Sequence, residues 1–204
     1  IYRSERIDMQ VQKGILITII ILASVIVYSN TLFSDFVWDD TALIANNPYI
    51  KSWKFLPKFF IQDIWNIGPQ TMSSGYYRPL LAASFMLDYF IWHTRPFGYH
   101  LTNLIFHSLV GILIFLLVES LFKDKFISFS SALLFSVHPI HTEAVSFISG
   151  RVDVISLALF LVSLILVFKY ISHKKIIFYL CSLFSFLISL LIKEMAVTLP
   201  LIII

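Results

Sequence analysis

Charged residues are scarce in this chain, and their scarcity excludes an ordinary soluble domain. Asp, Glu, Lys and Arg make up 13% of the 204 residues, whereas about a quarter of the residues are charged in a typical soluble protein. The net charge of +3 comes from basic residues near the ends of apolar runs, without the long basic tract that indicates nucleic-acid binding. We therefore expect no nucleic-acid partner.

The chain has a single cysteine and lacks the common hydrolase motifs. The single cysteine, Cys181, excludes an intrachain disulfide, and its place in an apolar run predicts a buried structural thiol. The sequence contains no His-Glu-x-x-His, no cysteine pair and no Gly-x-Ser-x-Gly motif. We therefore predict no set of metal-ligating residues and name no cofactor. A divalent metal ion that binds at the site is the alternative.

Long apolar runs are what the chain does contain. Apolar residues make up 58% of the sequence, and about 20 of them in a row can cross a hydrocarbon core roughly 30 Å thick. We predict an all-α polytopic membrane protein with a long first outer loop over residues 34–99, and we expect sequence to continue beyond the last span. The predicted spans are residues 14–33, 101–122, 126–146, 154–170, 176–192 and 195–204.

Basic residues predict the orientation of these spans, because Lys and Arg in short loops favour the cytoplasmic side. Three groups agree on one orientation: Arg3, Arg6 and Lys13; Lys123 and Lys125; and Lys169, Lys174 and Lys175. The remaining polar segments then lie together on the outer or luminal face of a bacterial or archaeal inner membrane, or of the endoplasmic reticulum. These segments are the outer loop, residues 138–153 and Lys193-Glu194.

The outer loop is too rich in aromatic residues to be a solvated linker. Its aromatic residues include Trp38, Trp53, Phe55, Phe59, Phe60, Trp65, Tyr76 and Tyr77. Residues 55–64 and 80–92 are predicted to form helices in the membrane interface, where aromatic rings are favoured. Residues 80–92 could instead cross the membrane, although about 13 residues that include Asp88 make a short span.

The acidic pair Asp39-Asp40, directly after the first span, is the strongest catalytic candidate. Two adjacent carboxylates that are partly removed from water raise the pKa of at least one of them, which suits a general base. The neighbouring Phe36 and Trp38 would exclude the water. Because Asp is also common at helix N-caps, a purely structural role for the pair is the alternative.

Further polar residues are predicted on the same side of the membrane. His100, Asn103 and His107 share one helical face and would either line a substrate site or join helices by hydrogen bonds. Arg151 could bind a phosphate through paired hydrogen bonds and Lys193 as a point charge. The alternatives are structural ion pairs: Arg151 with Glu143 or Asp153, and Lys193 with Glu194. The other substrate-binding candidates are Arg78, His138, His141, Glu143 and Asp153.

Six motifs in register resemble the N-terminal membrane region of the transmembrane and tetratricopeptide-repeat O-mannosyltransferase family, including its prokaryotic relatives. The motifs are Phe36-Val37-Trp38-Asp39-Asp40, Tyr77-Arg78-Pro79-Leu80, Gly98-Tyr99-His100-Leu101-Thr102-Asn103, His138-Pro139-Ile140-His141-Thr142-Glu143-Ala144-Val145, Gly150-Arg151-Val152-Asp153 and Lys193-Glu194. The resemblance implies the helical fold of the GT-C glycosyltransferase superfamily. It covers residues 27–199 and leaves out the repeat domain of the family.

The same resemblance implies an inverting transfer of a sugar, mannose in this family, from a polyprenyl (dolichol-type) phosphate to a protein or glycan hydroxyl. Asp39 or Asp40 would act as the base, and Arg151 and Lys193 would neutralise the departing phosphate. His138, His141 and Glu143 would shape the cavity. The alternatives are a glycosyltransferase for a lipid or cell-wall glycan, a transporter of lipid-linked sugar, and a non-catalytic membrane anchor.

Overall fold

The computed structural model of the chain describes residues 2–65 and 75–203, so the part of the predicted outer loop at residues 66–74 and the end of the predicted last span at Ile204 lie outside it. Within the described residues the secondary structure is helical and contains no strand, which confirms the all-α prediction. The helices are α1 (Tyr2–Tyr28), α2 (Leu56–Phe59), α3 (Pro79–Trp92), α4 (Pro96–Phe122), α5 (Lys125–Val137), α6 (Thr142–Ser146), α7 (Arg151–His173), α8 (Ile176–Ile192) and α9 (Leu199–Ile203).

Three of the described segments are long and apolar enough to cross a membrane, namely Gln10–Phe33, Pro96–Phe122 and Ile148–His173. They confirm a polytopic membrane protein. Helices α3, α5 and α8 are also apolar but have 10–17 residues, fewer than the roughly 20 of a typical span. The number of spans and their sidedness therefore stay predictions.

The segment predicted as a span over residues 126–146 is divided in the structure. Helix α5 ends at Val137, and a short 3-10 turn at Pro139–His141 separates it from α6. Pro139 causes this break because it has no N–H to donate and it disfavours helical geometry at the preceding residue. The break places the polar residues 138–150 at one end of the bundle.

Helix α4 lies at the centre of the bundle and packs against α1, α3, α5 and α7. Helices α4 and α5 form a hairpin because Lys123 ends α4 in the left-handed conformation, with a φ of 57°. The next residue, Asp124, caps α5 by accepting a hydrogen bond from the backbone N–H of Ile127 at 2.9 Å.

Helices α7 and α8 pack closely through serine side chains. The hydroxyls of Ser156 and Ser189 lie 3.1 Å apart, and those of Ser163 and Ser182 lie 2.9 Å apart. Small residues let helix backbones approach each other closely. Interhelical hydrogen bonds then hold membrane helices together, because apolar side chains are as stable against lipid tails as against another helix. This pairing fixes α8 beside α7 and so positions the polar residues that follow α8.

The outer loop folds back onto the bundle through short turns at Ser29–Phe33, Thr41–Ala45, Tyr49–Lys51 and Trp53–Phe55. The residues predicted as an interfacial helix at 55–64 contain only the four-residue α2, whereas the residues predicted at 80–92 form α3. Phe59 and Ile64 are buried against α3 within one apolar cluster. The loop is thus a packed layer over one end of the helices.

The expectation of a buried cysteine is wrong. Cys181 is exposed on the surface of α8. The apolar run around it predicted burial, but an apolar residue of a membrane helix can face lipid as well as the bundle interior.

Candidate active site

The two carboxylates of the acidic pair occupy different environments. Asp40 is fully buried, and its Oδ1 accepts hydrogen bonds from the backbone N–H of Ser149 at 2.8 Å and from the Ser149 hydroxyl at 2.6 Å. Its Oδ2 accepts a longer hydrogen bond of 3.3 Å from the backbone N–H of Val37. Hydrogen bonds to charged groups contribute about 1.5–3 kcal/mol each. Asp40 therefore holds the outer loop against the segment that precedes α7.

Asp39, in contrast, is exposed and lines a cavity. The residue before it, Trp38, has a φ of 47°, a left-handed conformation that is uncommon outside glycine. The Trp38 ring is held edge-on against Phe147, with 6.0 Å between the ring centroids. The tight turn at Trp38 is what separates the exposed carboxylate from its buried neighbour.

The pKa of Asp39 is raised above the ordinary value of 3.8. Partial burial of the carboxylate is the larger cause, and the negative charge of Asp40 is the second. Both effects disfavour the ionised form, so they increase the basicity of Asp39. A more basic carboxylate is a better proton acceptor near neutral pH.

The cavity beside Asp39 has a volume of about 640 Å³. Five of the residues singled out in the sequence line it, and they come from five separate segments: Asp39, Arg78, Glu143, Asp153 and Lys193. Apolar and aromatic side chains complete the wall: Leu43, Ile64, Trp65, Tyr76, Leu81, Phe147 and Val152. The cavity thus combines carboxylates and cations with an apolar lining.

Both cations of the cavity are paired with carboxylates. Arg78 donates to Glu194 from Nε at 3.3 Å and from a terminal nitrogen at 2.9 Å, and these bonds lower the pKa of Glu194. Lys193 forms an ion pair with Asp153. The alternative pairing of Lys193 with Glu194, considered from the sequence, is therefore replaced by two pairs that join different segments.

Gly150 allows the segments around the cavity to pack closely. A Cβ atom at this position would lie 2.6 Å from the backbone carbonyl oxygen of Glu143, closer than any side chain tolerates. The absence of a side chain lets α6 lie directly against the turn at Ile148–Gly150. This contact places Glu143 beside Ser149, the residue that anchors Asp40.

Arg151 does not line the cavity. Its side chain is fully buried, its terminal nitrogen lies 2.7 Å from Oδ2 of Asp88, and its guanidinium stacks 4.8 Å from the Phe85 ring centroid. Arg151 also donates to Oδ1 of Asn103 and to the backbone carbonyl of Tyr99, both at 3.0 Å. This enclosed arrangement gives Arg151 a structural role in place of the phosphate contact considered from the sequence. Its ion-pair partner is Asp88, whereas Glu143 or Asp153 was expected from the sequence.

The Arg151 cluster supports the site indirectly through Asn103. The Asn103 amide donates to three backbone carbonyl oxygens at distances of 3.0–3.3 Å, those of Val145, Phe147 and Ile148. These residues precede Ser149 in the chain. The buried cluster therefore fixes the segment that anchors Asp40.

The three histidines predicted to contact substrate lie outside the cavity. His100 is buried within α4, and His138 caps the turn after α5 by accepting a hydrogen bond from the backbone N–H of Ile140 at 3.1 Å. His141 packs against Phe135, with 4.1 Å between the ring centroids. Among the described side chains no three His, Cys, Asp or Glu residues are placed to hold a metal ion.

The sequence of the chain is similar to those of several known proteins. Over 146 residues the chain is 40% identical to the mouse protein named Protein O-mannosyl-transferase TMTC3, a match that covers 71% of the chain and 16% of that protein. Over 189 residues it is 35% identical to human Protein O-mannosyl-transferase TMTC1, covering 86% of the chain and 21% of that protein. The chain belongs to the family of the TMTC protein O-mannosyl-transferases.

A further member of this family, Protein O-mannosyl-transferase F38B6.6 of Caenorhabditis elegans, is 37% identical over 152 residues, which cover 72% of the chain and 22% of that protein. The chain spans about a fifth of the length of these curated relatives. No family model and no solved structure matches the chain. The family resemblance seen in the six motifs is confirmed, and the wider GT-C assignment stays a prediction.

Two residues that hold the segments around the acidic pair in place, Ser149 and Asp88, were not predicted from the sequence. Ser149 anchors Asp40, but a serine in a short loop carries no sequence signal for such a role. Asp88 was noted only as a charge that would weaken a span, although a lone carboxylate in an apolar helix is itself a signal for a buried partner. That rule predicts a partner for Asp88, but only the packing of α3 against α4 and α7 identifies it as Arg151.

Proposed function

We propose that the chain forms the catalytic membrane portion of a protein O-mannosyltransferase. The enzyme transfers mannose from a polyprenyl phosphate donor to a Ser or Thr hydroxyl of a protein. The observation that carries this proposal is the exposed carboxylate of Asp39, held in a cavity with two cations by the buried, hydrogen-bonded Asp40. The names of the relatives, all protein O-mannosyl-transferases, indicate the sugar and the class of acceptor.

Asp39 is the base in this proposal. The acceptor hydroxyl oxygen attacks the anomeric carbon of the donor sugar from the face opposite the phosphate, and the configuration is inverted. A new glycosidic C–O bond forms, the C–O bond to the phosphate breaks, and the hydroxyl proton passes to Asp39. The raised pKa of Asp39 favours this transfer, and removal of such a base typically slows a reaction about 10²- to 10⁴-fold.

Asp40 has a different role from Asp39. Its two oxygens already accept hydrogen bonds from Ser149 and Val37, and its side chain is fully buried. Asp40 therefore positions the loop and raises the pKa of Asp39 through its charge. We assign the proton transfer to Asp39 and the support of the loop to Asp40.

Lys193 and Arg78 are assigned to the donor phosphate. Both line the cavity, and the departing polyprenyl phosphate carries two negative charges that need cations nearby. In this structure Glu194 pairs with Arg78 and Asp153 pairs with Lys193. When the donor binds, its phosphate replaces a carboxylate as the partner, and the released Asp153 or nearby Glu143 can bind sugar hydroxyls.

The outer or luminal face is the proposed location of the cavity. The cavity lies at the start of α7, and the basic groups around Lys123 and Lys174 lie at the far ends of α4 and α7. Basic groups favour the cytoplasmic side, which assigns the opposite end of the bundle to the outer face. A polyprenyl donor can enter such a cavity from the outer leaflet of the bilayer.

The test of this proposal is mannosyl transfer by the Asp39→Asn and Asp40→Asn variants, with a polyprenyl phosphate mannose donor and a peptide acceptor. A glycan or lipid acceptor in place of the peptide distinguishes the alternative glycosyltransferase. A transporter of lipid-linked sugar would move the donor across the membrane without producing a glycosidic bond. The candidate site residues that line the cavity gather at one end of the bundle and do not follow a path through it, which favours catalysis over transport.

A further inference from the structure

A second polar cavity lies at the opposite end of α7. Helix α7 is roughly 33 Å long at 1.5 Å per residue, which is about the thickness of a hydrocarbon core. The second cavity has a volume of about 580 Å³ and lies between the middle of α1 and the ends of α4, α5 and α7. Its charged lining consists of Lys13, Glu119, Lys123, Lys125 and Lys169, and His173 adds an imidazole.

Positive charge exceeds negative charge in this basic cavity. Glu119 is its only carboxylate among the described residues, and it forms an ion pair with Lys13. Lys125 donates to the side-chain oxygen of Gln12 at 3.1 Å, which leaves its charge uncompensated. Where side chains are described, no carboxylate pairs with Lys123 or Lys169. The cavity is therefore set up to receive an anion.

Part of the wall of the basic cavity is apolar, which distinguishes the cavity from a site for a free ion. The apolar lining residues are Leu116, Leu121, Ile165 and Phe168, and hydroxyls are supplied by Ser120 and Ser172. A free phosphate would gain nothing from the apolar wall, whereas the start of an acyl chain would pack against it. We propose that this cavity binds the phosphate-bearing head group of an anionic membrane phospholipid.

The general preference of basic residues for the cytoplasmic side does not by itself produce such a cavity. Lys174 and Lys175 belong to the same basic end of the bundle, but they do not line the cavity. The lysines that do line it converge from the middle of α1, the turn between α4 and α5, and the last part of α7. Basic pockets between membrane helices on the cytoplasmic side are a known form of lipid head-group site, and the convergence gives this chain the same arrangement.

Native mass spectrometry of the purified protein in uncharged detergent tests the proposal. The protein is titrated with phosphatidylglycerol or with phosphatidylcholine of the same acyl chains, and the bound lipids are counted. Phosphatidylglycerol should bind at least tenfold more tightly. Lys123→Gln with Lys169→Gln should weaken its binding about 25-fold, because each Lys near an anionic lipid surface contributes about 1 kcal/mol, or about fivefold in affinity.

The matched control is Lys174→Gln with Lys175→Gln, which removes the same charge from the same end of the protein and should change binding less than twofold. Lys123→Arg with Lys169→Arg should retain binding, which separates loss of charge from loss of folding. Equal losses in the two Gln pairs would show diffuse attraction and overturn the proposal. So would equal affinity for the two lipids, or displacement of phosphatidylglycerol by an equal concentration of inorganic phosphate.

Discussion

Asp40 and Ser149 form the contact that joins the first outer loop to the segment before α7. One carboxylate oxygen of Asp40 accepts hydrogen bonds from both the backbone N–H and the hydroxyl of Ser149, at 2.8 Å and 2.6 Å. Because Asp40 is fully buried, the lost hydration of its charge must be replaced by these bonds. The contact determines the position of the neighbouring Asp39 relative to the cavity.

Ser149→Ala should destabilise the protein by about 1.5–3 kcal/mol, because it removes one hydrogen bond to a buried charge. The free energy of unfolding would be measured by denaturant titration in detergent. The control is Ser146→Ala, a half-buried serine of the same segment, which should change the free energy by less than about 0.5 kcal/mol. Equal effects of the two substitutions would contradict the anchoring role of Ser149.

Arg151→Met should destabilise the protein by about 3–5 kcal/mol, since it leaves Asp88 as an unpaired buried charge. The double variant Arg151→Met with Asp88→Leu removes both charges and should be more stable than Arg151→Met alone. Thermal unfolding in detergent compares the three proteins. If the double variant is no more stable than the single one, the two residues do not act as a structural pair.

The locations of Arg151 and Cys181 show where sequence reasoning reached its limit. The apolar runs predicted most of the helices. The basic clusters predicted that the acidic pair, Asp153 and Lys193 lie on one side of the membrane, and Asp39, Asp153 and Lys193 line one cavity in the structure. Helix packing decides which polar residues face a cavity and which are enclosed, and it depends on contacts between distant segments. Arg151 therefore looked like a ligand-binding residue until its contact with Asp88 was known.

Lys193→Ala should raise the KM for the polyprenyl phosphate donor about 10- to 150-fold, because it removes a charged hydrogen-bond donor worth about 1.5–3 kcal/mol. Steady-state transfer at varied donor concentration measures this change. Lys54→Ala is the control, since Lys54 is exposed in the outer loop and does not line the cavity. An unchanged KM for the Lys193 variant would exclude this lysine from the donor site.

The pH dependence of transfer should reflect the raised pKa of Asp39. As the pH falls through this pKa, a proton occupies the base and the rate decreases, so the acid limb of the profile should lie above the ordinary Asp value of 3.8. Asp40→Asn removes the second cause of the shift and should move the limb to lower pH. Asp153→Asn, in the same cavity, should leave its position unchanged; equal movement in both variants would refute the coupling.

The central claim is that Asp39 accepts the proton of the acceptor hydroxyl. The most direct measurement is the single-turnover rate of mannosyl transfer by the Asp39→Asn variant in the intact protein, with thermal unfolding and donor binding measured in parallel. We expect the rate to fall about 10²- to 10⁴-fold while unfolding and donor binding stay close to those of the unmodified protein, and Asp40→Asn to lower stability instead. A near-normal transfer rate in the Asp39→Asn variant would contradict the account.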